Sequence, residues 1–253
     1  METVASLVLA GVIGYIVYDE FVHEKRQIFP RKRLCDYYVA GSVFEDIPAA
    51  IDRGCRLVEV HVYADEQGYP VVAKEPLNGG YDYAVDNVSF EKCCNDIGNL
   101  AFPSPDPFIL SIVPHTENTL TLNRVAEHLK TTAVRRHLTG EKEVHRLEID
   151  TLADKLILVS GGHARGTDLE PMLNLNWDES ALRRLSYSQA THSRDQAELV
   201  GHNRDRISMV APDPAFGKSG VNADTPFAYG CQWNLFSSSW VPGGFVEKHI
   251  ELQ

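Results

Sequence analysis

Residues 52–63 read Asp52-Arg53-Gly54-Cys55-Arg56-Leu57-Val58-Glu59-Val60-His61-Val62-Tyr63. Gly54 ends a short helical stretch over residues 47–53. Arg56 to Tyr63 then reads as a buried strand, rich in Val and Leu, with Glu59 and His61 inserted as polar members. Further apolar runs follow. Tyr69 to Ala73 reads as a partner strand, Phe108 to Val113 as another, and Lys155 to Ser160 as a further strand ended by Gly161 and Gly162. Ile207 to Val210 and Gly230 to Ser237 are the last strand candidates. Between them, Thr119 to Leu138 carries Leu122, Val125, Leu129 and Ala133 on one side, as an amphipathic helix does. Strand, helix, strand order predicts a parallel α/β architecture. Several such units fit a β/α barrel, and periodicity alone fits an open doubly wound sheet equally well.

The chain has 253 residues, 43% of them hydrophobic, which is enough to bury a full core in one large or two small domains. A mean hydropathy of -0.22 excludes a polytopic membrane protein. A formal charge of -11 argues against nucleic acid as the main partner. Five Cys are too few and too irregular for a disulfide framework. Cys93 and Cys94 are adjacent, no pair has zinc spacing, and reduced core thiols are expected.

The first residues differ from the rest. Val4 to Tyr18 carries no charge, and Asp19 and Glu20 follow. A spanning helix needs about 20 apolar residues, so this run is short for one. A secretory signal fits poorly, because Glu2 precedes the run without Lys or Arg and no A-x-A site follows. Residues 1–27 are expected to be a membrane anchor or a helix docked on a partner, and residues 28–253 the body. Lys25, Arg26, Arg31, Lys32 and Arg33 follow the apolar run. By the positive-inside bias they place the body on the cytoplasmic or matrix-equivalent side, where they also suit anionic head groups.

Three stretches, in order, resemble the X and Y catalytic halves of phosphoinositide-specific phospholipase C. The first is Ser42-Val43-Phe44-Glu45-Asp46, then Gly54-Cys55-Arg56-Leu57-Val58-Glu59-Val60-His61 and Gly68-Tyr69-Pro70-Val71-Val72. These are similar to that family's Ser-Ser-Val-Glu helix start, Gly-Cys-Arg-x-x-Glu-Leu-Asp and Gly-x-Pro-Val. The second is Pro107-Phe108-Ile109-Leu110-Ser111-Ile112, with Ala126 to Lys130 and Lys155 to Val159 after it. The third is Pro226 to Gln232 with Asn234, similar to the Gly-Cys-Gln motif of the Y half. The resemblance implies a distorted TIM barrel with a short X–Y linker near residues 163–183.

It also implies a mechanism. In that family a substrate hydroxyl attacks phosphorus, two His stabilise charge and protonate the leaving group, and a Ca²⁺ held by Asn, Glu, Asp and Glu lowers the hydroxyl pKa. Such an ion needs hard oxygen ligands. Here Asp36 to Ser42 contains no His-Asn pair, so one acid–base group and one metal ligand are missing. Glu59 matches the metal-site Glu. His61 replaces the metal-site Asp, Lys74 stands where the second His belongs, and Val113 replaces the next metal-site Glu. Val159 and Gly161 fall where phosphate-binding lysines are expected. Arg206 matches an inositol-binding Arg, with Ser208 in place of a stacking Tyr. One metal ligand of four does not hold Ca²⁺, so neither a catalytic set nor a cofactor is expected; were the chain an active phosphodiesterase, the cofactor would be Ca²⁺ at Glu59.

Glu59, His61 and Lys74 are expected to point inward, with a Glu59–Lys74 ion pair and His61 hydrogen-bonded nearby. Gly161-Gly162-His163-Ala164-Arg165 is read as an ordinary loop, and Phe216 to Gly220 lacks the full phosphate-loop spacing. Three functions fit these residues. The first is a catalytically inactive, membrane-anchored accessory subunit of a larger assembly, in a mitochondrial membrane or else a virion's internal membrane. The second is a divergent phosphodiesterase using His61 and Lys74 with another metal or none. The third is a phospholipid head-group binder using Arg206, Lys74 and Arg31 to Arg33.

Overall fold

The computed structural model describes residues 32–43, 46–73, 87–213, 224–236 and 245–247. The order of elements is β1 (Tyr37–Val43), α1 (Ile47–Asp52), β2 (Leu57–Ala64), β3 (Pro70–Val72), β4 (Val88–Ser89), α2 (Phe90–Leu100), β5 (Phe108–Pro114) and α3 (Thr119–Thr131). After these come β6 (Leu156–Ser160), β7 (Leu175–Asn176), β8 (Leu182–Ser186), α4 (Tyr187–Thr191), α5 (Gln196–His202), β9 (Ile207–Ala211), α6 (Asp224–Ala228), β10 (Trp233–Phe236) and β11 (Phe245–Glu247).

Eight strands pair in parallel in the order β7-β6-β5-β2-β1-β10-β9-β8. This is a nearly closed barrel, with β7 and β8 at the two unjoined edges. The barrel reading therefore holds over the open sheet. Strands β3 and β4 extend β2 as an antiparallel ribbon, and β11 pairs antiparallel with the start of β1.

Period-two alternation sets the two cores. On β2, Val58, Val60 and Val62 face outward to the helices, packing with Phe90 and Ile97 of α2 and Leu129 of α3. Leu57 faces inward with Ile109, Ile157, Leu182, Met209 and Trp233. The same alternation turns Glu59 and His61 into the barrel interior above that apolar plug.

Local signals account for the helices. Asp46 caps α1 by accepting from the Ala49 amide at 3.3 Å, Ser89 caps α2 from Lys92 at 3.2 Å, and Asn118 caps α3 from Leu120 at 3.0 Å. The helix expected over residues 119–138 ends at Thr131. Thr132 is extended, and a short helical turn over Ala133–His137 follows. Sequence periodicity bridged this break because Ala133 continues the apolar stripe. Strands β1, β7 and β8 were not expected: β1 lies in the stretch compared with the family's His-Asn and helix-start motifs, and β7 and the start of β8 fall in the assumed linker. All five Cys are buried, and none is in a disulfide.

Among the described residues no helix is long and apolar enough to cross a membrane. The apolar run Val4 to Tyr18 lies outside the described residues.

Gly98 lets α2 pack tightly. A Cβ there would lie 2.4 Å from the backbone carbon of Ala133. Gly98→Ala is therefore expected to lower stability by about 1–3 kcal/mol, read as a reduced midpoint in urea denaturation. A higher midpoint, the result alanine's helix propensity alone would give, would contradict this close approach.

Candidate functional site

The inward face of β2 carries Glu59, His61 and Tyr63 toward the carboxyl-terminal ends of the strands, the end where TIM-barrel chemistry sits. Glu59 is 3% exposed. Its carboxylate accepts from Arg184 of β8 twice, Nη2 to Oε1 at 2.7 Å and Nε to Oε2 at 3.1 Å. Ser111 of β5 donates its hydroxyl to Oε2 at 3.0 Å. Burial alone would raise the carboxyl pKa. The charge of Arg184 and the bonds from His61 and Arg184 outweigh it and hold Glu59 at about 2.

A pair of imidazoles extends this network toward the mouth. His61 Nε2 lies 3.4 Å from Glu59 Oε1, and His61 Nδ1 is 2.7 Å from Nε2 of His115, just beyond β5. His115 stacks on Tyr63, with centroids 4.5 Å apart and planes 9° from parallel. Burial, helped by the charges of His61 and Arg184, lowers His115 to about 4. Arg184 also lies 5.7 Å from the ring of Trp177. That indole crosses the end of β6 because Gly161 has no side chain: a Cβ there would sit 2.0 Å from Trp177 Nε1.

The residues expected from sequence are only partly brought together. Glu59 and His61 are neighbours in the barrel interior. Val113 is beside His61 in register on β5 and is half-buried. Val159 is packed in the interior core, and Gly161 is filled by Trp177, so neither position has room for a phosphate-binding lysine. Lys74 and the loop Phe216 to Gly220 lie outside the described residues, as does the expected Glu59–Lys74 pair. Arg206 is not at this site: it is exposed and directly precedes β9, at the opposite end of the barrel.

Three site residues were missed: Arg184, Ser111 and His115. Ser111 and His115 share the inward register of β5 with Ile109, a pattern visible in sequence. Arg184 was hidden because Arg183 and Arg184 are adjacent. Only strand register separates Arg184, turned inward, from Arg183, which pairs with Glu198 at 2.6 Å outside.

These donors do not suit a calcium ion. Both oxygens of Glu59 already accept from a guanidinium, whose charge would repel a divalent cation. The remaining neighbours are imidazole, a hydroxyl and Val113. Among the described residues no three His, Cys, Asp or Glu side chains gather as a metal cage.

The profile of the family described as "Phosphatidylinositol-specific phospholipase C, X domain" matches residues 34–160, half of the chain. The chain belongs to this family. Solved structures carry the same fold at low identity. PLC21 of L. pealei superposes with a TM-score of 0.67 at 14% identity over 82% of this X-domain chain and 34% of its own. The chain thus spans about a third of that protein's length. The Ca²⁺-dependent phosphatidylinositol-specific phospholipase C of Streptomyces antibioticus gives 0.58 at 11% identity, covering 87% of this chain and all of its own. The calcium-dependent enzyme of a Gram-negative Pseudomonas gives 0.56 at 11%, over 81% and 90%. No curated protein matches the sequence.

Arg184→Met strands the Glu59 charge in the barrel. It is expected to destabilise by about 3 kcal/mol, the lower end for breaking a buried pair because Arg184 stays partly exposed; adding Glu59→Gln should restore most of the loss in urea denaturation. The pH dependence follows from the depressed carboxyl. Glu59 stabilises fully above its ordinary 4.5, and that stability is lost as pH falls from there toward about 2. An unchanged urea midpoint for Arg184→Met would contradict the pairing.

Proposed function

We propose that this chain is a phospholipase-type barrel that does not perform Ca²⁺-dependent phosphodiester cleavage and acts as an accessory or structural subunit of a membrane assembly. Residues 1–27 anchor or dock it, residues 28–253 form the barrel, and its partners are the membrane and other protein subunits rather than nucleic acid. A mitochondrial membrane complex is the favoured setting, with a virion's internal membrane as the alternative.

One observation carries this reading: the Arg184 guanidinium sits on the carboxylate that the family resemblance assigns to the metal. A resident cation satisfies Glu59 without an ion to supply. The missing His-Asn pair before the first helix and the Val at position 113 point the same way. With no metal to acidify a substrate hydroxyl, the resemblance's mechanism loses its first step.

The test is phosphatidylinositol hydrolysis by the recombinant body with and without Ca²⁺. No Ca²⁺-dependent product is expected above the protein-free control. Ca²⁺-dependent turnover that disappears in Glu59→Gln would overturn the proposal.

A second reading rests on the Glu59–His61–His115 chain. It runs from a buried carboxylate through two imidazoles to the barrel mouth, an arrangement able to move a proton. On this reading the chain is a divergent, metal-independent phosphodiesterase. Chelator-resistant hydrolysis that is lost in His115→Ala would favour it over the accessory role.

A further inference from the structure

The end of the barrel opposite Glu59 holds a serine set between prolines. Residues 103–107 read Pro103-Ser104-Pro105-Asp106-Pro107 and lie between α2 and β5. Three of these five residues are proline and have no amide hydrogen, so the segment is unsuited to continue either element. Pro105 also biases Ser104 toward extended backbone. Pro103 and Pro105 are exposed, and Ser104 is half-buried between them. Phe102 stacks on His137 with ring centroids 3.5 Å apart, and the Asp154 amide donates to the Pro105 carbonyl at 2.8 Å. These contacts hold the segment on both sides of Ser104.

A buried guanidinium faces that serine. Arg56 directly precedes β2 and is 9% exposed. It donates to the Ala101 carbonyl and to the hydroxyl oxygen of Ser104. Among the described residues its one ion-pair partner is Asp106, 3.9 Å away, with a side chain 47% exposed. A carboxylate that distant and that wet meets a buried charge only loosely. Ser104 donates its own hydroxyl hydrogen to Asp106 at 3.2 Å. The serine oxygen thus lies between a buried cation and an exposed anion.

Either feature alone has an ordinary account. A Ser-Pro step is commonplace in sequence, and Arg56 also serves as a tie between β2 and the α2–β5 connection. Their coincidence points further. A second such step, Thr225-Pro226, lies inside helix α6. A kinase reads its substrate as an extended chain, so α6 withholds Thr225. The proline-flanked segment at Ser104 has no helix or strand to lose.

We propose that Ser104 is a phosphorylation site for a proline-directed kinase, with Arg56 as the built-in receiver of the phosphoryl group. The bond from Ser104 Oγ to the γ-phosphorus of ATP forms as the bond from that phosphorus to the leaving ADP oxygen breaks, and the hydroxyl proton passes to the base of the kinase. The new group brings about −1.5 to −2 of charge and three acceptor oxygens. A guanidinium fork matches such oxygens in geometry and charge. Arg56 already bonds the oxygen that carries the group, so it needs little movement to donate to it. Asp106, now of like charge to its neighbour, turns toward solvent. The α2–β5 connection is then tied to the start of β2 by a full ion pair. The site lies at the opposite end of the barrel from Glu59 and does not depend on whether the mouth is catalytic.

The test uses the full chain, ATP and a proline-directed kinase of the mitogen-activated class, with mass spectrometry to locate the phosphate. Incorporation is expected at Ser104 and is expected to vanish in Ser104→Ala. Phosphorus NMR then follows the second ionisation of that phosphate against pH, in the folded protein and after unfolding in urea. Unfolded, it is expected at about 6. Folded, the Arg56 charge is expected to lower it by about 1, which is about ten-fold in proton affinity. The comparison needs no change at Arg56, whose replacement could unfold the base. No phosphate at Ser104, or phosphate at Thr225 alone, overturns the proposal. So does an equal ionisation in the folded and unfolded protein, because Arg56 would then not receive the group.

Discussion

The buried ion pair between Glu59 and Arg184 is the interaction around which the upper barrel is arranged. A carboxylate inside a parallel barrel is tolerated only if its charge is met and its lone pairs are filled. Arg184 meets the charge through two bonds, and Ser111 fills a further acceptor site. This fixes the inward face of three strands at once. It also sets what the site can hold, because the counter-charge that the family resemblance would assign to a metal is already covalently part of the chain.

The rest of the mouth follows from that constraint. His61 and His115 are kept in a low-dielectric stack between the pair and Tyr63, where burial and nearby positive charge disfavour protonation of His115. Trp177 fills the side of the pocket that Gly161 leaves open. The mouth is therefore an aromatic and imidazole surface around one satisfied ion pair.

The parallel strands were legible because, when buried, they read as dense apolar runs between helical stripes, as in Arg56 to Tyr63 and Phe108 to Val113; the barrel, rather than an open sheet, came from the order of the family motifs. Boundaries were less legible. Thr132 breaks a helix whose apolar period continues through Ala133. Strands β7 and β8 are short and polar, so they resemble linker. The site was half legible. Glu59 and His61 stood out as polar residues in an apolar strand, but the partner of Glu59 on β8 lies 125 positions away in sequence, beyond any local pattern.

The sequence by itself determined the family and, through the order of its motifs, the barrel, since those rest on residue identity and order. Tertiary structure alone decided what surrounds Glu59. Closing the barrel brings β8 within reach of Glu59, and strand register turns Arg184 inward and Arg183 outward. The direction of β9 sends Arg206 to the base rather than the mouth. Register and strand direction are properties of the closed sheet, so no reading of adjacent residues supplies them.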